Sequence, residues 1–313
     1  MRTYDSYTID SAGAFLVGEL ERLDQTLHLP LATVTWPRDI HLREDVTIGD
    51  EASSFTNSNL AAPGGLTPGG KNWIGGSSTA IAGIAVGIDK TTLPMHLWGM
   101  EVGYSIPELV RSQQVGRPID TQKHEGLRLK HNMDVDEMVY IGDTDKGSTG
   151  LVNNAAVTPE GFDAAWDSED MTPDQILTDI NELIYDTWAR SAFAVCPSHL
   201  LLPPRKFGLL TKPVTSAGSE SLLMYIAKSC LSAQQNGRPL EIHPLKWLTG
   251  RGVGNADRAV AYTKDKQFVR YPMVPLQRTP LEYRGVHQIC TYFGTLGEME
   301  FVYPETVGYA DGL

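Results

Sequence analysis

The chain has 313 residues, 41% of them hydrophobic and 20% charged, with a formal net charge of −12. That length fits about two domains with a sizeable core. The acidity excludes tight binding along a nucleic-acid backbone, which takes a basic face, but not the enclosing of nucleic acid by a wall that must not stick to it. Past Arg284 the only Asp, Glu, Lys or Arg residues are the acids Glu298, Glu300, Glu305 and Asp311. The three cysteines, Cys196, Cys230 and Cys290, are far apart and form no CxxC pair. Neither a zinc ribbon nor a disulfide framework is expected, and buried free thiols are. The first ten residues lack the basic-then-apolar pattern of a signal peptide. The longest weakly polar run, 79–88, is too short and Gly-rich to span a bilayer. The expectation is a soluble, non-secreted protein.

Asp10 or Ser11 offers an N-cap for a helix of about four turns. Leu16, Leu20, Leu23 and Leu27 fall on one narrow stripe of it, and His28-Leu29-Pro30 ends it. Such a seam lies either on a partner surface or back on its own core. Residues 33–36 read as a short strand. From 43 to 94 there is no helical periodicity. Two extended limbs flank a Gly/Pro cluster, Pro63 to Gly70, which also carries Lys71 and Trp73 near its tip. The pattern predicts a long hairpin or extended loop of the kind that serves interaction. Residues 97–104 read as a strand, and Ile106-Pro107-Glu108 starts a helix.

After Gly116-Arg117-Pro118, a long charged helix is predicted over 119–141. Its apolar residues Leu127, Leu129, Met133, Met138 and Val139 form no single stripe. That suggests a strut between surfaces. It breaks at an Asp/Gly turn, 143–150, and the chain restarts at Leu151-Val152. Thr172-Pro173-Asp174 opens a second helix with an apolar face of Ile176, Ile180, Leu183, Ile184 and Trp188. A buried strand follows between prolines at 197–203. One helix is predicted over 219–235, stopped by Asn236-Gly237. Strands are predicted at 240–245 and 258–262, the latter turning at 264–266 into Phe268-Val269, and a last one at 300–303. Helices alternating with short strands indicate an α/β region over 151–275.

Catalytic signals are weak. Gly65 to Lys71 matches G-x-x-x-x-G-K, but Asn72 stands where a phosphate-binding loop needs Ser or Thr, and no helix opens behind it. Gly250-Arg251-Gly252-Val253-Gly254-Asn255 has its third glycine misplaced for a dinucleotide fingerprint and reads as a turn. His124 and His131 are seven apart, too far for an i, i+4 metal pair, and surface positions are expected. Asp134, Asp136, Glu137, Asp143 and Asp145 do not follow a calcium-loop order and are expected on a solvated face. Cys196 and His199 are near in sequence but lack an evident orienting acid. No catalytic residue, cofactor or metal ligand is assigned.

The order arm, extended loop, strand, long helix, Gly-rich restart, α/β region and returning strand carries a resemblance. So do local words: WGMEVGYSIPEL from Trp98, YIGD from Tyr140, GLVN from Gly150, PSHLLLP from Pro197 and FVYPET from Phe301. The chain resembles a tailed-phage or prophage major capsid protein of the HK97-like fold, an α+β class. The resemblance implies an N-terminal arm over 1–42 and an extended E-loop over 43–95. It implies a peripheral domain with the spine helix over 96–150 plus 286–313, and an α/β axial domain over 151–285. It further implies a non-enzymatic subunit that self-assembles into pentamers and hexamers of an icosahedral head enclosing double-stranded DNA. Such a subunit belongs to the virion and is assembled in the host bacterial cytoplasm, with scaffolding, portal and decoration proteins as partners and no membrane. Leu16, Leu20, Leu23, Leu27, Lys71 and Trp73 are the candidate inter-subunit contacts. Some members weld subunits by a Lys–Asn bond. Lys71 is placed as a donor, but no Asn follows Asn255, so cross-linking is not expected. No long scaffolding segment precedes the arm, so assembly would use a separate scaffolding protein or none. The alternatives are an encapsulin-like nanocompartment shell and, lower, a hydrolase using Cys196 or His199.

Overall fold

The computed structural model describes residues 30–61, 72, 83–115, 119–162, 164–168, 171–213 and 220–313. Helix α1 (Trp36–Asp39) and strand β1 (His41–Arg43) come first, then β2 (Ala52–Ala61), β3 (Ala85–Pro94) and β4 (His96–Ser105). Helices α2 (Ile106–Val115) and α3 (Ile119–Tyr140) follow, with a 3-10 turn at Thr144–Lys146. Next come β5 (Pro159–Gly161), α4 (Pro173–Arg190), β6 (His199–Leu202), α5 (Pro204–Leu210), α6 (Leu222–Ser229) and α7 (Leu231–Asn236). The chain closes with β7 (Glu241–Pro244), β8 (Arg258–Tyr262), β9 (Val269–Arg278), β10 (Glu282–Arg284), β11 (His287–Leu296), β12 (Glu300–Phe301) and β13 (Gly308–Asp311).

The chain forms two compact units. The smaller includes Glu101–Lys130 and Thr279–Thr291; the larger includes Thr33–Met100, His131–Arg278 and Tyr292–Leu313. Within the smaller unit β10 pairs antiparallel with β11, and Ile106 N donates to Val286 O at 2.8 Å. Lys123 ties helix to strand there. Its ammonium donates to Gly103 O at 2.9 Å, pairs with Glu108 at 3.1 Å and lies over the Tyr104 ring.

The larger unit is built on a five-stranded sheet, β5-β13-β8-β6-β7. Successive side chains of a strand point to opposite faces, and here both faces are apolar. Leu201, Val260, Tyr262 and Tyr309 join one core with Val135, Val139 and Tyr140 of α3. Leu200, Leu202, Ala259, Ala261 and Ala310 join a second core with Ile176, Ile180, Leu183 and Ile184 of α4. Leu200, Leu201 and Leu202 are each fully buried, worth about 2 kcal/mol apiece in water-to-core transfer. The start of α4 follows its sequence signal. Thr172 accepts from Gln175 N while the Gln175 side chain returns to Thr172 N, with Pro173 in the first turn.

Several sequence expectations differ from the structure. Residues 33–36 are not a strand: Thr35 and Trp36 give their amides to Asp136, and α1 begins with Pro37 in its first turn. The helix predicted over 219–235 is two. It breaks at Cys230, whose backbone is extended, because Asn181 of α4 accepts from Leu231 N at 2.8 Å and starts α7 afresh. Strands β8 and β9, joined by the turn at 264–266, lie in different sheets: β8 pairs with β6 and β13, and β9 with β1, β11 and β12. The strand over 300–303 covers only Glu300–Phe301. The last strand, β13, sits between β5 and β8 in the five-stranded sheet.

Helix α3 also has the buried stripe that apolar counting missed. Leu127, His131, Val135 and Val139 recur every four residues, and all are buried. The restart after it is a helix cap. Gly142 turns left-handed at φ +78°; then Leu151 N donates to Val139 O, Val152 N to Tyr140 O, and the Asn153 amide to Ile141 O. Gly150 passes so close that a Cβ would lie 2.2 Å from the Tyr140 carbonyl carbon. YIGD and GLVN are thus the two sides of one C-terminal cap.

Candidate assembly surface

Strands β2 and β3 form a ribbon in which Ala52 faces Pro94 and Ala61 faces Ala85, and neither pairs with any other described strand. Residues 85–92 are all exposed. Val86 and Ile88 share one face and extend a row from Ile84, at 57%, 72% and 65% exposure. A two-stranded ribbon is marginal alone in water, and a contiguous exposed apolar row marks a contact surface.

The ribbon is fastened at its root. The Arg43 Nη1 donates to Ser53 Oγ at 3.0 Å, to Ser54 O at 2.9 Å and to Glu300 Oε1 at 2.9 Å. Its Nε and Nη2 reach Asp45 at 2.7 and 3.1 Å. Ser53 Oγ donates to the same Glu300 oxygen, and Arg270 Nε donates to Oε2 at 2.5 Å. The result is an alternating row of charges, Asp45–Arg43–Glu300–Arg270, with the Glu300 side chain fully buried. The Arg43 guanidinium and its hydrogen bond hold Asp45 below the usual carboxylate range.

The segment 35–39 is fastened as firmly. Oδ1 of buried Asp136 accepts from Thr35 N at 2.7 Å and Trp36 N at 3.0 Å; Oδ2 accepts from the Trp247 indole at 2.7 Å and lies 3.5 Å from Lys246. Buried Asp39 takes a two-point grip from Arg38 at 2.6 and 2.9 Å and the Tyr140 hydroxyl. Tyr262 donates to Asp39 O at 2.7 Å. From Thr33 onward the chain is held; Leu31, before it, is fully exposed.

The acidic run on α3 is therefore not a solvated face throughout. Asp136 is an interior anchor, and Asp134 accepts from the Trp98 indole at 2.9 Å. His131 is buried rather than at the surface, packed edge-on against Trp98, and burial lowers its pKa. Cys196, Cys230 and Cys290 are buried free thiols. Burial pushes the Cys196 thiol up, away from the thiolate a nucleophile needs. His199 is engaged elsewhere: Nδ1 meets Ser198 Oγ at 2.8 Å and Nε2 meets Glu241 at 3.1 Å. Among the described residues no hydrogen bond joins Cys196 to His199, whose ring is held by Ser198 and Glu241. Among the described residues no group of three His, Cys, Asp or Glu is placed to hold a metal ion. No described helix is long and apolar enough to cross a membrane. Gly250 to Asn255 is a turn with left-handed Gly250, Gly254 and Asn255. The candidate contacts Leu16, Leu20, Leu23, Leu27, Lys71 and Trp73 lie outside the described residues, as does all but Asn72 of the glycine-lysine loop.

A family model described as major capsid protein matches residues 69–313. The chain belongs to the major capsid protein family. The match runs from residue 69 through the spine helix to the last residue. The fold of this capsid protein is shared by solved shells of low sequence identity. The capsid of Myoviridae phage XM1 is 16% identical, with 95% of this chain and 98% of that one covered and a TM-score of 0.75. The capsid of a native GTA particle is 12% identical over 99% of both chains, with a TM-score of 0.65. A chain of Mycobacterium phage Adephagia is 10% identical, covering 96% and 97%, with a TM-score of 0.61. No curated protein matches the sequence. The HK97-like fold expected from the sequence is thus observed, and the capsid protein is a homo-oligomeric shell subunit of a virion.

Proposed function

We propose that this capsid protein assembles as pentamers and hexamers into an icosahedral phage head that encloses double-stranded DNA, without catalysing a reaction. The observation that carries this, beyond family membership, is the ribbon of β2 and β3. It is firmly rooted at Ser53 and Glu300, yet presents Ile84, Val86 and Ile88 to solvent. A chain element with an exposed apolar row needs a neighbour, and repeated copies in closed symmetry supply one at every position. Ordering an arm or loop that buries little of its own surface is otherwise unfavourable.

On this reading residues 1–42 form the arm and 43–95 the E-loop. Residues 96–150 plus 286–313 form the peripheral domain, and residues 151–285 form the axial domain. Leu16, Leu20, Leu23 and Leu27 pack on neighbouring copies, and Lys71 and Trp73 contact them at the loop tip. The subunits hold together without covalent links. Scaffolding, portal and decoration proteins are the partners during assembly in the host bacterial cytoplasm, and the net charge of −12 keeps the wall from adhering to packaged DNA.

Size-exclusion chromatography and negative-stain microscopy of the purified protein test this. Closed shells, or rings that close into shells in a crowding agent, are the expected result. A strictly monomeric chain at high concentration overturns it. Nuclease-protected DNA inside particles from infected or induced cells supports the phage head, and a cargo enzyme in its place supports a nanocompartment. Leu20→Asp with Leu23→Asp is expected to leave the subunit folded and to block assembly; a subunit that fails to fold places that helix in its own core.

A further inference from the structure

Among the described residues, the side-chain anchors of the ribbon of β2 and β3 lie on one strand. Ser53 and Ser54 meet Arg43, Ser53 meets Glu300, and Asn57 Nδ2 donates to Val302 O at 2.8 Å. All three anchors belong to β2. On β3, residues 85–92 are exposed. The fulcrum therefore lies at 53–57, and the four residue pairs beyond it, Ser58↔Ile88 to Ala61↔Ala85, project past the last anchor.

Glu300 is the residue on which that fulcrum turns. It lies on β12, paired to β9 with Glu300 opposite Arg270. Its two oxygens divide the work. Oε2 holds Arg270 on its own sheet, and Oε1 holds Arg43 of β1 and Ser53 of β2 together. Arg43 is engaged at all three of its nitrogens, Nε and Nη2 by Asp45 and Nη1 by Ser53, Ser54 and Glu300. A planar guanidinium held at all three nitrogens holds an angle, not merely a distance. A buried charged network is a weak source of net stability, and its best-attested role is to specify one geometry over its alternatives.

We propose that Glu300 is the positioning residue of the ribbon: the Arg43–Glu300–Arg270 latch, closed on Ser53, sets the angle at which the ribbon leaves the body and so where Ile84, Val86 and Ile88 meet a second copy. A small change of angle at the root is multiplied along the ribbon, so the latch governs how copies mate and at what curvature. The consequence for the shell rests on the assembly function proposed above; the latch itself rests on the root contacts alone.

The test compares Ser53→Ala, which leaves the ions in place but removes the ribbon's side-chain hold on Glu300 and Arg43, with Glu300→Gln, which disables the latch. Amide hydrogen exchange is followed separately in 52–61 with 85–94 and in the five-stranded sheet, and particle diameter and yield are measured by microscopy. In Ser53→Ala, exchange in the ribbon is expected to rise about tenfold while the five-stranded sheet is unchanged. Particles are expected to be lost or to change in diameter. Glu300→Gln should show the same pattern more strongly; if that variant unfolds, Ser53→Ala decides alone. Unchanged ribbon exchange in Ser53→Ala overturns the latch, and faster exchange with parental particles overturns its role in assembly. Should the parent itself form no particles, the assembly function fails while the exchange comparison still decides the latch.

Discussion

Asp136 and Trp247 are 111 positions apart, and the indole N–H of Trp247 donates to Oδ2 of Asp136 at 2.7 Å. The other carboxylate oxygen carries the amides of Thr35 and Trp36. One side chain on the spine helix thus joins the segment 35–36 to the segment after β7. Asp136→Ala would leave two half-buried amides and an indole without their acceptor, at a cost of about 3 kcal/mol. Asp136→Asn keeps one acceptor oxygen and should cost about half as much. Urea unfolding followed by tryptophan fluorescence checks both. Equal and negligible losses would mean that water replaces the carboxylate.

Gly150 and Gly147 provide a paired test of the spine-helix cap. A Cβ on Gly150 meets the Tyr140 backbone at 2.2 Å, and backbone cannot step aside as a side-chain tip can. Gly150→Ala should therefore cost at least about 3 kcal/mol. Gly147 is left-handed at φ +69° but faces open space, so Gly147→Ala carries only the conformational term, about 1 kcal/mol. Thermal unfolding of the two variants distinguishes clash from strain. Comparable losses would show that the cap relaxes away from Tyr140.

How much of this was legible in sequence depends on how local the cause is. The start of α4 was, because its capping box lies within four residues. The ends of the spine helix and the extended ribbon were too, since periodicity and glycine act locally. The interior role of Asp136 was not: its partners at 35, 36 and 247 are adjacent only after folding, and a charged residue inside an acidic run reads as solvated. The stripe through His131 was hidden because a histidine occupies one of its apolar steps. The break at Cys230 depends on Asn181, fifty positions away. The place of β13 between β5 and β8 is likewise a matter of long-range pairing. The candidate contacts on the leucine seam and the loop tip came from the resemblance and the apolar pattern, and they stand as proposals.

Two titrating groups in the larger unit pull stability in opposite directions across weakly acidic pH. Burial lowers His199 from 6.5 to about 4, against the pull of Glu241 and with Lys264, His243 and Arg238 adding to the shift. Between those values the unfolded chain takes up a proton that the folded one refuses, so stability falls as pH drops from 6.5 towards 4. Burial and a hydrogen bond with Asp186 raise Glu160 from 4.5 to about 7, with Arg190 opposing. There the folded chain keeps a proton the unfolded one has released, so stability falls as pH rises from 4.5 towards 7. Glu160→Gln removes only the second slope. Its urea midpoint should climb more steeply with pH over this window than that of the parent. Parallel curves for the two proteins would mean that Glu160 titrates as an ordinary surface carboxyl.

The exposed row on β3 separates folding from assembly more cleanly than any core position. Val86 and Ile88 are 57% and 72% exposed, so replacing them removes little buried apolar area from the free subunit. Val86→Asp with Ile88→Asp should shift subunit stability by no more than about 1 kcal/mol. In a shell the same two positions are expected to lie against a neighbour, where an unpaired buried charge is strongly unfavourable. Particle formation should then fall at least about tenfold, a change that needs only about 1.4 kcal/mol per contact repeated around the shell. Chemical denaturation of the dissociated subunit and particle yield by size exclusion give the two readings. A double variant that assembles at parental yield would show that this face of the ribbon remains in solvent, and that the neighbour contacts its other face or its tip.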